Sequence, residues 1–257
     1  MALYGPKAEP VLSMLAGIQA LIAGFIGDAF VPYSLAQIHA TLIAFNGVRD
    51  PGSDALVNEY FLEHSGVRRT MDVDLAMQIL TARFSRPLRI RVGGLRPGDE
   101  VPFRSRGQHL YQRTFSVQGD AFVLVGWPAG PDQLPDRLPL DRLRRDLNAA
   151  GLLHRYHVHD DDIDGDLHLV VGHHRGALAD SLDKAAAAVR SELAGHPVEF
   201  SIALPDVKVV AADTHTLAPP LYVSPIPAGT SAVIAWAAAL PCRAASAPAW
   251  PVPPWRR

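Results

Sequence analysis

The chain has very little cysteine, because Cys242 is the only one among its 257 residues. A single cysteine cannot form an intramolecular disulfide, which excludes the disulfide-rich secreted class and favours an intracellular protein. The N-terminal residues also lack the basic, apolar and small-residue pattern of a signal peptide. The sequence therefore predicts a cytoplasmic protein.

Several common catalytic and nucleotide-binding motifs are also missing. The sequence has no G-x-G-x-x-G motif, no P-loop, no G-x-S-x-G elbow and no C-x-x-C pair. These absences argue against nucleotide-dependent redox chemistry, P-loop hydrolysis and α/β-hydrolase chemistry. The formal net charge is −2, so the chain as a whole has no basic field of the kind that attracts long nucleic acids.

Two runs without a charged residue approach or exceed the length of a membrane-spanning helix. Residues 10–27 contain Ser13 and Gln19, and their apolar positions recur with the 3.6-residue period of an amphipathic helix. Residues 217–242 contain several prolines, which interrupt helices. We therefore expect a soluble amphipathic helix in the first run, an extended segment in the second and no membrane association.

Hydrophobic periodicity and turn residues predict a chain of mixed helices and strands. Helices are predicted over residues 10–24, 54–64, 71–84, 138–150 and 177–193. Strands are predicted over residues 37–45, 87–94, 111–117, 121–127, 166–172, 198–204 and 207–212.

The first chemically informative stretch is the predicted strand at residues 37–45. Side chains alternate between the two faces of a strand, so His39 and Thr41 point the same way, about 7 Å apart. An imidazole and a hydroxyl at that spacing can hold a phosphate between them. The simpler interpretation is a core strand with a satisfied histidine.

A second histidine lies in the predicted strand at residues 166–172. His168 and Val170 share one face of this strand, and leucines and a valine fill the other. Two histidine-bearing strands that face each other across a cleft suit general acid–base chemistry, because imidazole titrates near neutral pH.

These two stretches resemble the paired H-x-[TS]-x-apolar motifs of the 2H phosphoesterase superfamily, which includes bacterial RNA 2′,3′-cyclic phosphodiesterases, also called 2′-5′ RNA ligases. Residues 39–43 match the first motif in full. In the second motif Val170 occupies the position at which the family has Thr or Ser. The order of the predicted elements is similar to that of the family across roughly residues 11–212.

The resemblance implies an α+β fold over residues 1–217, followed by a proline-rich C-terminal extension at residues 218–257. The implied architecture is bilobal and pseudo-twofold. Two mainly antiparallel sheets with flanking helices would surround a central cleft.

The resemblance also implies a metal-independent phosphodiesterase that acts on a 2′,3′-cyclic phosphate or a 2′-5′ linkage of RNA or a nucleotide. His39 and His168 would serve as the general acid and the general base, in an order that the sequence leaves open. Thr41 would donate a hydrogen bond to a phosphate oxygen. Val170 cannot do so, which predicts slow turnover. No cofactor, metal ion or obligate protein partner is expected.

Further substrate-binding residues are predicted near these motifs. Arg113 and Tyr111 share one face of the predicted strand at 111–117, where they would bind a phosphate and stack on a base. His173 directly follows the second histidine strand and would line the cleft. The simpler interpretation of Arg113 and Tyr111 is a solvated strand face.

Two other functions stay open at this stage. The missing hydroxyl at Val170 favours a protein with a 2H fold that binds a nucleotide or an RNA end with little turnover. A more distant alternative is a metal-dependent hydrolase that uses the histidines and aspartates of residues 157–166. For the acidic link at 154–166 the simpler interpretation is a solvated loop.

Overall fold

The structure is a computed structural model, and it describes residues 1–50, 53, 55–130, 132–211, 220 and 222–226 of the chain. The α-helices are α1 (Glu9–Ile26), α2 (Glu59–Ser65), α3 (Val73–Arg83), α4 (Leu110–Thr114), α5 (Leu138–Asp146) and α6 (Ala179–Gly195). The strands are β1 (Ala2–Leu3), β2 (Phe30–Pro32), β3 (Ala40–Thr41), β4 (Gly47–Arg49), β5 (Leu56–Asn58), β6 (Leu88–Val92), β7 (Phe115–Gln118), β8 (Ala121–Pro128), β9 (Leu167–His174), β10 (Val198–Ile202), β11 (Val207–Ala211) and β12 (Tyr222–Pro225).

Local sequence explains where several of these helices begin and end. The side chain of Asn58 accepts a hydrogen bond from the backbone N–H of Phe61, and Asp72 caps Leu75 in the same way. Both are typical N-cap residues. After α5, a short 3₁₀ turn ends at Gly151, which adopts a left-handed conformation that glycine accepts without strain.

All strand pairs in the described residues are antiparallel, which confirms the predicted α+β class. The larger sheet has the order β10-β6-β8-β9-β2, with β7 paired to the first half of β8. A second sheet has the order β12-β11-β1-β3, and β4 and β5 form a separate hairpin. The strand β12 lies within the predicted C-terminal extension and pairs with β11, whereas most of that extension lies outside the described residues.

The helix α1 is long and apolar enough to cross a membrane by length and composition alone. In the structure it packs against α6, β10 and β9. The side chains it buries in the main core recur at helical spacing: Val11, Met14, Leu15, Ile18 and Ile22. This packing agrees with the predicted amphipathic helix and is compatible with a soluble protein.

Two predicted strands differ from the structure. The segment predicted as a strand from residue 37 to 45 is a strand only in β3, because a turn at residues 35–37 precedes it. The predicted strand at 111–117 is wrong in its first half, which forms the helix α4. The side chain of His109 accepts a hydrogen bond from the backbone N–H of Tyr111 and so caps this helix. The predicted helix at 54–64 is likewise replaced at its start by β5.

The buried side chain of Arg144 joins the two sheets where β3 meets the start of β9. The strand β3 lies alongside β9, and Arg144 of α5 reaches both. Its Nε donates to the Leu42 carbonyl at 3.0 Å, and its Nη2 donates to the carbonyls of Thr41 at 3.4 Å and Asp166 at 3.1 Å. Its Nη1 donates to the Asp164 carbonyl at 2.9 Å. Arg144 is 1% exposed, so these bonds form out of contact with water.

We predict that Arg144→Met lowers the free energy of unfolding by about 3–5 kcal/mol, the usual cost of removing one partner from a buried charge network. Methionine has a similar reach but leaves four carbonyls without their donor. Urea unfolding measures the change. Arg142→Met, at an exposed position of the same helix, serves as the control and should change stability by less than about 0.5 kcal/mol. A loss below about 1 kcal/mol for Arg144→Met would contradict the bridging role.

Candidate functional site

His168 lies near the start of β9, and a quarter of its side chain is exposed. Its Nε2 is 2.5 Å from Nη2 of Arg113. A guanidinium can only donate, so Nε2 of His168 accepts this hydrogen bond and the proton of the neutral ring lies on Nδ1. Arg113 therefore fixes both the orientation and the tautomer of the imidazole.

Asp166 is the acceptor around which this site is built. Its carboxylate accepts from the Ser105 hydroxyl at 2.7 and 2.9 Å and from the Trp127 indole at 2.7 Å. Nε of Arg113 donates to it at 3.1 Å, while Nε2 of His168 lies 3.6 Å away. A buried carboxylate with several donors is held rigidly, which in turn holds Arg113 against His168.

The electrostatics of the site keep His168 neutral. Burial, joined by the charges of Arg113 and Arg106, holds the pKa of His168 well below its usual range despite the nearby Asp166. Burial by itself would raise the pKa of Asp166, but the charge of Arg113 and the hydrogen bond from the Ser105 hydroxyl lower it below the usual value. At neutral pH the site therefore contains an ionised carboxylate and an uncharged imidazole.

The first histidine motif, which contains His39 and Thr41, lies at β3, next to β9. His39 directly precedes β3, is half-buried, and its Nδ1 is 3.0 Å from the Gln37 carbonyl. Its ring also lies beside that of Tyr4, with centroids 6.2 Å apart. The Thr41 side chain is exposed, while the Thr41 carbonyl is held by Arg144. Alternation along residues 38–42 follows the predicted pattern even though the strand is shorter.

The structure gives the predicted substrate-binding residues surroundings that differ from those expected. Tyr111 lies on α4, two residues from Arg113, so the two side chains leave the helix in different directions rather than from one strand face. Arg113 is 4% exposed, so the solvated-face interpretation of that residue is wrong. Val170 is half-buried and packs against both the main core and a smaller cluster that contains Trp127.

His173 lies at the far end of β9 from His168. Five residues separate them, which corresponds to about 16 Å along a strand. The Tyr33 hydroxyl forms a short hydrogen bond with Nε2 of His173, whose Nδ1 lies 3.3 Å from Asp120. His173 therefore belongs to a contact between β2, β9 and the β7–β8 turn, not to the surroundings of His168.

A cavity of about 590 Å³ opens beside the His168 network. Tyr156 contributes to its wall, and the Tyr156 ring lies 6.4 Å from the His168 ring, centroid to centroid. The Arg106 guanidinium stacks on the Tyr156 ring, with its Cζ 3.8 Å from the ring centre. The volume falls within the range typical of small-molecule sites. The lining residues are Phe103, Arg104, Ser105, Arg106, Arg137, Tyr156, Val158, His159, Asp162, Ile163, Asp164, Gly165 and Asp166.

Sequence reasoning missed several of these residues. Ser105, Trp127 and Arg144 come from separate elements, and no local pattern connects them with Asp166. One signal was present: Asp166 directly precedes an apolar strand, where an unsolvated carboxylate would require donors from elsewhere in the chain.

The acidic link is not the solvated loop that its composition predicted. Nε2 of His154 is 2.9 Å from Oδ2 of Asp164, and Nε2 of His157 is 2.9 Å from Oδ1 of Asp141. All four residues are buried, whereas Asp160 and its neighbours stay exposed. Within the described ranges, no group of three or more His, Cys, Asp or Glu side chains is arranged to hold a metal ion.

Comparison of the chain with known protein families, with curated proteins and with solved structures found no match.

Two histidines with lowered pKa values predict a loss of stability in mild acid. Burial lowers the pKa of His154 to about 3, and the pKa of His168 is lowered as well. In the unfolded chain both rings take up a proton near pH 6.5. The unfolded state therefore binds more protons below that pH, and each histidine should reduce the free energy of unfolding by up to about 1.4 kcal/mol per pH unit.

Urea unfolding between about pH 7.5 and pH 5 measures this dependence, with stability present at the upper end and lost on acidification. His154→Gln removes one titrating group while it keeps a donor for Asp164, so the slope should fall by up to about 1.4 kcal/mol per pH unit. His196→Gln is the control, because that side chain is 78% exposed and should leave the slope unchanged. A slope that His154→Gln does not alter would show that the folded state protonates this ring normally.

Proposed function

We propose that the protein is a phosphodiesterase that acts on a 2′,3′-cyclic phosphate or a 2′-5′ linkage of RNA or a nucleotide, with a 2H-type arrangement of two histidine segments. The observation that carries the proposal is the position of β3 alongside β9, where Arg144 bonds the segments that carry His39 and His168. A cavity with arginine and aromatic walls lies next to this junction. Phosphate groups and bases are bound by such side chains.

The environment of His168 suggests how the two roles are divided. An imidazole with a lowered pKa is uncharged at neutral pH and can accept a proton, but it cannot deliver one. His168 would therefore be the general base and His39 the general acid. The substrate phosphate would draw the Nη2 donor of Arg113 to itself and so release Nε2 of His168 for the attacking water.

The remaining roles follow from the motif and from the chemistry. Thr41, whose side chain is exposed beside β9, would donate a hydrogen bond to the developing charge on the phosphate. Neither a metal ion nor a cofactor takes part in the proposed steps. We propose a cytoplasmic location, because RNA ends and nucleotides are accessible there. The reducing cytoplasm also suits a protein with a single cysteine and no internal disulfide.

We expect purified protein to hydrolyse at least one substrate from a panel of 2′,3′-cyclic nucleotides and 2′-5′ dinucleotides in the presence of EDTA. His39→Ala and His168→Ala should each lower turnover by about 10²-fold or more, since each removes a proton-transfer group. His196→Ala, at an exposed position, is the control, and thermal melting verifies that each variant is folded. Near-normal turnover in either variant would reject the paired-histidine mechanism. Loss of activity with EDTA, restored by a divalent metal, would favour a metal-dependent hydrolase.

One observation favours a second candidate, a binding protein with little turnover. Nε2 of His168 is already engaged by Arg113 at 2.5 Å, and Arg113 is itself fixed by the buried Asp166. If this contact persists with ligand bound, the base is blocked while the basic cavity can still hold an anion. Binding of a 2′,3′-cyclic nucleotide without hydrolysis would support this candidate.

Val170 provides a separate test of the second motif. Because its side chain packs against two apolar clusters, we expect Val170→Thr to bury a hydroxyl and lower the free energy of unfolding by about 1–3 kcal/mol, with no gain in kcat. Val170→Ala measures the loss of packing alone. Urea unfolding and steady-state kinetics give both readouts. A higher kcat for Val170→Thr with stability retained would instead place this position against the phosphate, as the family resemblance implies.

A further inference from the structure

The arginines around the cavity fall into two groups. Arg106, Arg113 and Arg144 lie within 4 Å of the buried carboxylates of Asp164 or Asp166. Arg104 and Arg137 also line the cavity, but within the described part of the chain neither lies in an ion pair with a carboxylate. The positive charge of these two side chains is therefore available to a ligand.

Contacts with neighbouring residues hold Arg137 at the cavity. The guanidinium of Arg137 lies over the Phe103 ring, with Cζ 5.2 Å from the ring centre. Arg104 follows Phe103 directly in the chain. Gly165 lets the backbone of Arg137 come close, because a Cβ at that position would collide with the Arg137 carbonyl. The cavity wall therefore contains one guanidinium that stacks on an aromatic ring and a second arginine next to that ring in the chain.

The three carboxylates that line the same cavity already accept hydrogen bonds from the protein. Oδ2 of Asp162 accepts from the backbone N–H groups of Val158 at 2.8 Å and His159 at 2.7 Å. Asp164 and Asp166 accept from the buried network described above. Anion binding at Arg104 and Arg137 therefore does not have to displace a carboxylate partner.

We propose that Arg104 and Arg137 form a subsite for a second phosphate group of the substrate, separate from the phosphate that faces the histidines. This inference rests on the proposed phosphodiesterase function. Tyr156 links the two regions, because it lines the same cavity as the two arginines and its ring lies 6.4 Å from the His168 ring. Guanidinium groups bind phosphate oxygens in a bidentate fashion, which makes arginine suitable for this role. The substrate class is a nucleotide or oligonucleotide with a flanking phosphate, rather than a cyclic mononucleotide.

The test compares the binding of adenosine 3′-monophosphate and adenosine 3′,5′-bisphosphate by titration calorimetry at one fixed ionic strength. We expect the wild-type protein to bind the bisphosphate about tenfold more tightly, because the added group gains charge-assisted hydrogen bonds. The double variant Arg104→Gln/Arg137→Gln should lose this preference. Arg86→Gln/Arg96→Gln removes the same charge at exposed positions outside the cavity and should keep the preference.

Three results would overturn the subsite: equal wild-type affinity for the two ligands or no binding of either, a preference that survives Arg104→Gln/Arg137→Gln, or a preference that the control variant loses as well. The last result would mean that the extra phosphate responds only to overall charge. Failure of the phosphodiesterase proposal gives a different result. The protein would then turn over no substrate of the panel, but the wild type would still prefer the bisphosphate and the double variant Arg104→Gln/Arg137→Gln would still lack that preference.

Discussion

The structure depends on the buried guanidinium of Arg144, which joins two sheets that share no strand. Removal of a full charge from water is costly, and the cost is offset only when every donor finds an acceptor. Arg144 meets this condition with the carbonyls of Leu42, Thr41, Asp164 and Asp166, and its Nη1 lies 3.6 Å from the Asp164 carboxylate. Because these acceptors belong to both β3 and the entry to β9, the position of one segment fixes that of the other.

The same burial sets the chemical state of the histidines. Asp164 and Asp166 remain ionised because arginines and hydroxyl or indole donors surround them, although burial alone opposes their charge. The arginines in turn disfavour a further positive charge on His154 or His168. A dry, positively charged surrounding therefore yields neutral imidazoles, which can act as bases or hydrogen-bond acceptors but not as acids at neutral pH.

The arginines in and around the cavity differ in whether they pair with a carboxylate. Arg106 and Arg113 form ion pairs with buried carboxylates, whereas in the part of the chain that the structure describes Arg104 and Arg137 form none. The proposed subsite would therefore favour ligands with more than one phosphate, since each additional phosphate would find its own donor.

Local sequence patterns determined much of the secondary structure. The apolar period of α1, the long apolar runs of β8 and β9 and the alanine-rich α6 all form where the pattern predicts them, because burial of an apolar face requires that spacing. Alternation around His39 and Thr41 was also correct. The pattern failed at residues 111–114, where the cap from His109 favours a helical turn over a strand.

What only the tertiary structure decided is which polar residues meet. Ser105, Arg113, Trp127 and Asp166 are far apart in the chain, and their encounter depends on how β8 and β9 pair and where α4 begins. Composition suggested a solvated acidic link, yet Asp164 and Asp166 are buried because Arg144 and Arg113 supply partners that no local window contains. Local patterns predicted most of the elements and located the two histidine-bearing segments. The protonation of His168, its neighbours and the charges that line the cavity depend on long-range contacts, since burial and Coulomb interactions depend on distance in space rather than along the chain.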